Sequence, residues 1–392
     1  MKALEKRKAL VEPRLLKWAR ESTFLSIDEA AKAAHTTPER FLLAEQGDGF
    51  ITFRQLAEFA YACRLPMESF YLSEPPYEEP LPSDFRAADY GRGAFTAGLV
   101  RILRVARERR DTAAELFEDL HLERRRFPTV KNDAAIVHIL RPLMCVADWN
   151  LPTQEKRGVE QGAKALSLTK DLVENAFPVL VFEFIIDPAV LRGCSLFSES
   201  LSIIVLSTRD NPNARRFTLA HELAHLLMRQ SGLCYPIRGH ISDATERRCN
   251  AVAGESLLPA QYLHKELEQK NHIQVDSLIK HLSARYCLSQ SATAIRLNQV
   301  GFLGANDLQT RLDLYKAMYQ KQRETQAESE NGPKYHLLQV QRLGPTFTSA
   351  VLSSIENDSM SLTQGAHLLQ IGPSYENVVK VRENLVNVYG SR

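Results

Sequence analysis

At 392 residues the chain is too long for one average domain, and with 44% hydrophobic and 24% charged residues it can bury a real core, which excludes disorder throughout. Its 49 basic and 47 acidic side chains nearly cancel, so no global charge draws it to nucleic acid or an anionic membrane, and such binding has to come from a local patch. The six cysteines, Cys63, Cys145, Cys194, Cys234, Cys249 and Cys287, form no CxxC pair and read as free thiols of a reducing compartment. The opening "MKALEKRKALVEPRLLKW" has no apolar signal region, and the run "FPVLVFEFII" is far short of the roughly 20 residues that span a bilayer. These features predict a cytoplasmic protein with no membrane partner.

Residues 10–72 hold five short amphipathic segments, "PRLLKWARES", "SIDEAAKAA", "TPERFLLAEQG", "TFRQLAEFAYACR" and "PMESFYL", each predicted as a helix. Ser26 with Glu29 three residues on, and Thr37 followed by Pro38, are start signals, because a side-chain oxygen there can accept from a free backbone N–H. The acid- and proline-rich "SEPPYEEPLPSDF" cannot continue a helix and reads as a linker over residues 73–85. "GLVRILRVARERRDTAAELFEDL" then predicts a helix with a solvated, charge-paired surface. "FPVLVFEFIID" and "LSIIVLS", short and rich in Val, Ile and Phe, predict strands of a small sheet. The helix that follows starts after Asn211 or Asn213 and is expected to stop at Ser231 and Gly232, where glycine suits a left-handed residue. Further helices run to about residue 323, "RETQAESENGP" reads as a second linker at 324–334, and residues 335–392 form a small helical C-terminal region. The fold class expected is α+β: a five-helix N-terminal domain over 1–72, then a mainly helical domain with a small β-sheet over 86–323.

Within "RRFTLAHELAHLLMRQSG", His221 and His225 stand four apart, so a helix places both on one face where they can grip one ion. Glu222 lies beside them and can reach a water on that ion without ligating it. That is the arrangement of metal-assisted peptide hydrolysis, in which the carboxylate takes a proton from the attacking water and passes it to the leaving amine. Leu219, Leu223, Leu226 and Leu227 supply an apolar face, and imidazoles buried there need a partner. A catalytic metal needs a third protein ligand. Glu246 and Glu255 are nine residues apart, hence on opposite helix faces, so only one of them can serve. Glu246 shares a stripe with Asn250, Ala253 and Leu257 that can pack on the first helix; Glu255 reads as a solvated helix charge, and His240 and Asp243 are weaker rivals.

The two segments "RRFTLAHELAHLLM" and "ERRCNAVAGESLLPA" resemble the ImmA/IrrE family of zinc metallo-endopeptidases, whose second helix has the form E-x-x-A-N-x-F-A-x-x-L-L-x-P. The resemblance extends over roughly residues 150–305. It implies a zincin-like domain, Zn²⁺ as cofactor, His221, His225 and Glu246 as ligands and Glu222 as catalytic base. Cys249 and Val252 depart from the family's usual alanine and phenylalanine, as substitutions suited to a core. The five N-terminal helices resemble the XRE-type helix-turn-helix domain, whose third helix enters the major groove. That implies Thr37 and Arg40 at base edges, with Glu39 opposing phosphate and Lys2, Lys6, Arg7, Lys8, Arg14 and Lys17 available to a flexible basic arm. A protein-interaction module, including one that forms a homodimer, is the competing use of that domain.

By resemblance, the substrate is a regulatory protein such as a transcriptional repressor, with operator DNA as a second partner. The rival class is an antitoxin or transcriptional regulator that binds a toxin or senses a partner with little proteolysis. The retained Glu222 separates the two, since a pure binding module has no need of it.

Overall fold

The computed structural model describes residues 7–81, 94–122, 125–145, 159–188, 191–234, 244–269, 274–326 and 335–390. His240, Asp243, Trp149 and Lys2 and Lys6 of the expected basic arm lie outside these. The chain divides into two compact units, Met1–Arg109 and Arg110–Arg392. It is α+β: mostly helical, with one small sheet.

In the N-terminal unit α1 (Pro13–Ser22), α2 (Ile27–Ala33), α3 (Pro38–Gln46) and α4 (Phe53–Cys63) stand where the segments predict. The fifth, Met67–Tyr71, is a 3-10 turn and not an α-helix. Ser26 and Glu29 close a reciprocal capping box, and the Thr37 hydroxyl accepts from Arg40 N–H. Leu16, Ala19, Ala31, Phe41, Leu56, Phe59 and Phe70 form the core of this unit. Residues 7–9 are not a free arm: Lys8 bridges Thr52, and Ala9 N–H donates to the Ile51 carbonyl at 2.9 Å.

Helix α5 (Ala94–Asp119) departs from its expected solvated surface, because Arg104, Arg109 and Arg110 are buried. Arg104 donates to Glu78 at 2.6 and 2.9 Å, to Thr23 Oγ1 at 2.6 Å, to Ser22 Oγ at 2.8 Å and to the Cys63 carbonyl at 2.7 Å. A guanidinium with that many acceptors can leave water without an unsatisfied donor. Glu78, in the proline-rich stretch, is thereby tied down.

The second unit holds α6 (Asp133–Met144), α7 (Val159–Ala176), β1 (Val179–Phe184), β2 (Gly193–Leu196), β3 (Ser202–Ser207), α8 (Pro212–Leu227), β4 (Gly232–Cys234) and α9 (Ala244–Leu257). Helices α10 (Ala260–Gln269), α11 (Val275–Tyr286), α12 (Gln290–Gln299) and α13 (Ala305–Gln326) follow. The C-terminal helices are α14 (Tyr335–Leu343), α15 (Pro345–Glu356), α16 (Leu362–Leu368) and α17 (Tyr375–Tyr389).

The sheet order is β1-β3-β2-β4, with β1 and β3 parallel and β2 antiparallel to both its neighbours. Strands β1 and β3 are apolar on successive residues because both faces are covered. Val181, Ile204 and Leu206 join the core with Leu219, Leu223 and Leu226 of α8, whereas Phe182 on the opposite face meets Phe347 of α15 edge-on at 5.8 Å. Lys170 of α7 donates to Glu183 at 3.1 Å, Arg215 of α8 donates to the same carboxylate at 2.6 Å, and the pair of cations holds its carboxyl below the usual range although burial opposes it. Glu174 of α7 accepts from Val181 N–H at 2.8 Å and from Thr346 N–H at 2.9 Å, joining the C-terminal helices to β1.

Candidate functional site

Helix α8 begins at the Asn211 cap, one of the two starts its sequence offers, but ends at Leu227, earlier than expected. The left-handed residue after it is Arg229, with φ 59°, and Gly232 instead opens β4. An early end lets the chain turn back and lay β4 beside β2. Gly232 then sits against the His225 ring, where a Cβ would lie 3.0 Å from three of its atoms. A side chain at 232 would press on the imidazole, which would have to give by a few tenths of an ångström.

His221, Glu222 and His225 are buried on α8, and Glu246 reaches them from the first turn of α9. The two Nε2 atoms are 3.2 Å apart, and Glu246 Oε2 and Oε1 lie 3.2 Å from His221 Nε2 and 2.9 Å from His225 Nε2. Among the described residues these three make up the group able to hold a metal, all ligating atoms falling within 4.8 Å of one another. A tetrahedral ion with bonds of about 2.0–2.1 Å spaces its donors about 3.3 Å apart, so the cluster has the size of a metal's ligand shell. His221 Nδ1 faces Asn250 Oδ1 at 3.1 Å. An Nδ1–H donated to that oxygen leaves the Nε2 lone pair directed at the cluster. Glu246 and Asn250 are four residues apart on α9, so one helix face supplies both a donor to the cluster and the group that orients its partner.

Burial alone would lower the proton affinity of His225, but the Cys249 thiol and the Glu246 carboxylate outweigh it and carry its pKa to about 11. Glu246 is driven the other way; burial opposes its ionisation, yet the two imidazoles bring it down to about 2. Glu222 is fully buried, which pushes its carboxyl up against the opposing pull of both imidazoles and Ser195.

Glu255 is neither near the cluster nor a solvated charge. It pairs with Arg296 and caps α10 by accepting from Ala260 N–H at 3.0 Å. The two departures in the second segment, Cys249 and Val252, are both buried in the core. In the N-terminal unit Thr37 and Arg40 are exposed at the start of α3, with Leu42 and Leu43 also exposed further along it.

Comparison with known families bears on the segment that carries the cluster. Residues 175–298 match the peptidase M78 family model, described as an IrrE N-terminal-like domain. The match covers less than half of the 392 residues, and it supports a metallopeptidase-type function for the IrrE-like segment. No curated protein and no solved structure matches the chain. The IrrE-like segment contains β1 to β4, α8 to α11 and all but the last residue of α12, hence every residue of the cluster. Among the described residues, no helix is long and apolar enough to cross a membrane.

One residue of the site has no counterpart in the sequence reading. Ser195 of β2 is buried and donates to Glu222 Oε2 at 2.7 Å. Its strand, "GCSL", has neither the length nor the β-branched content that marks a strand, and no local signal could have pointed to it.

Proposed function

We propose that this chain is a zinc-dependent endopeptidase that cleaves a regulatory protein, a transcriptional repressor being the substrate class its family resemblance implies. The observation that carries the reading is Glu222: a buried carboxylate beside two imidazoles and a second carboxylate, belonging to the same helix turn but not to the cluster itself. Two nitrogens and one carboxylate suit Zn²⁺ with an open fourth position. A zinc ion held there would supply Lewis acidity toward water and the scissile carbonyl. Glu222 then takes the proton of the attacking water and returns it to the leaving amine, while burial excludes bulk water that would compete for it. His221, oriented by Asn250, and His225, packed against Gly232, keep the donor geometry fixed.

Plasma emission on the purified chain should find one zinc per molecule, and Glu246→Ala or His225→Ala should lose most of it. Zinc retained in Glu246→Ala would transfer the third position to another side chain, His240 or Asp243. Full zinc in the wild type, no cleavage of any co-expressed repressor and behaviour identical to Glu222→Gln would replace the endopeptidase with the antitoxin or regulator that binds a toxin partner.

For the N-terminal unit the reading is operator binding through α3, supported by the exposed Thr37 and Arg40 at its start. A gel shift with the chain's own upstream DNA should weaken steeply with salt, and Arg40→Ala should weaken binding more than Glu39→Ala does. Absence of any shift at low salt would leave a protein-interaction or dimerisation module.

A further inference from the structure

We propose that Ser195 is a positioning residue for Glu222, holding one carboxylate oxygen so that the other is presented to the reacting water; this rests on the endopeptidase reading above. Strand β2 lies across α8 with alternate residues facing it. Gly193 meets Thr218, where a Cβ on the glycine would come within 2.5 Å of the threonine methyl, and Ser195, two residues on, meets Glu222, four residues on. A strand rises about 3.3 Å per residue and a helix about 1.5 Å, so two strand steps and four helix steps cover nearly the same length. The register of β2 against α8 therefore brings Ser195 opposite Glu222. The pairing of β2 with β4 extends the support: Ser195 is the register partner of Gly232, and Gly232 packs on His225.

The consequence is an asymmetric carboxylate. Oε2 accepts the Ser195 hydroxyl at 2.7 Å, whereas Oε1 is buried and makes no hydrogen bond among the described residues. A buried acceptor left without a donor costs about 1–3 kcal/mol, so such an atom is kept where it is used. Ser195 occupies the oxygen that is not used and prevents the carboxylate from rotating. The serine acts through Glu222 and is not itself one of the ligating residues.

Ser195→Ala and Ser195→Thr in the full chain test this against the wild type. In a crystal structure of metal-free Ser195→Ala the Glu222 carboxylate should turn from its wild-type orientation. With zinc bound at wild-type content, kcat should fall about 10–100-fold while KM stays within about twofold, and Ser195→Thr, which keeps the hydroxyl, should recover most of the rate. An unmoved Glu222 in Ser195→Ala overturns the proposal, as does an unchanged kcat or a loss that follows zinc content. If the wild type cleaves nothing, the endopeptidase reading falls, and the orientation of Glu222 in the metal-free variant still separates a positioning serine from a packing one.

Discussion

Glu222→Gln should leave zinc content and thermal stability at wild-type levels and lower the turnover of a cleavable protein by about 10²–10⁴-fold, the usual worth of a positioned general base. The amide is nearly isosteric, and its oxygen can still accept the Ser195 hydroxyl that now reaches Glu222 Oε2 at 2.7 Å. The cluster of His221, His225 and Glu246 does not include Glu222, so the ion has no reason to leave. What is lost is a group able to take a proton. Burial raises the proton affinity of Glu222 above that of an ordinary carboxylate, which favours holding the proton until the amine departs. Metal content by plasma emission and turnover on one preparation read both quantities. A Gln variant with wild-type turnover would remove Glu222 from the chemistry, and one that lost its zinc would make it a ligand.

The second large effect falls on stability. Arg216→Ala should lower the unfolding midpoint of the chain, followed by circular dichroism, by about 6–12 °C, corresponding to roughly 3 kcal/mol or more. Arg216 is completely buried, and its guanidinium donates to the Met144 carbonyl at 2.6 Å, to the Tyr286 and Cys287 carbonyls at 3.1 and 2.8 Å, and to Thr169 Oγ1 at 3.2 Å. Met144 ends α6, Tyr286 ends α11, and Cys287 is its left-handed cap at φ 50°. One side chain thus satisfies the terminal carbonyls of two helices, which would otherwise be buried without donors. Burial lowers its pKa to about 10, so it stays charged at neutral pH. Arg216→Lys should recover only part of the loss, because an ammonium cannot reproduce the planar fork. A midpoint for Arg216→Ala within about 2 °C of wild type would show that water replaces the guanidinium at little cost.

The arginine-rich lead into the histidine motif is visible in "RRFTLAHELAH", but its two arginines serve different ends. Arg215 pairs with Glu183 on β1, whereas Arg216 caps helices from distant parts of the chain. Nothing local in the sequence distinguishes one from the other; the 100° step between neighbours on a helix sends them to different surroundings. Glu246 and Glu255 show the opposite case. Their nine-residue separation sets them on opposite faces from sequence alone, and the structure finds one at the imidazoles and the other on Arg296.

Local physics was thus enough wherever the signal is periodic or a cap. The four N-terminal α-helices, the Ser26 cap, strands β1 and β3 and the common face of His221 and His225 all follow from local pattern, because a backbone period of 3.6 or 2 maps directly onto which side chains share a face, whereas the choice of Asn211 over Asn213 as the cap of α8 did not. The end of α8 did not follow, since glycine at 232 satisfies a helix-stop rule and a close-packing need equally well, and only the His225 ring beside it decides between them. Strands β2 and β4 did not follow either: at four and three residues they are stable only through their neighbours, and with them came Ser195, the register against α8 and the support of Glu222. By itself the sequence determined which residues gather on the motif helix. The tertiary structure alone decided what holds them in place, because that support is made by contacts between segments far apart in the chain, and a short buried polar residue carries no mark of the partner it will meet.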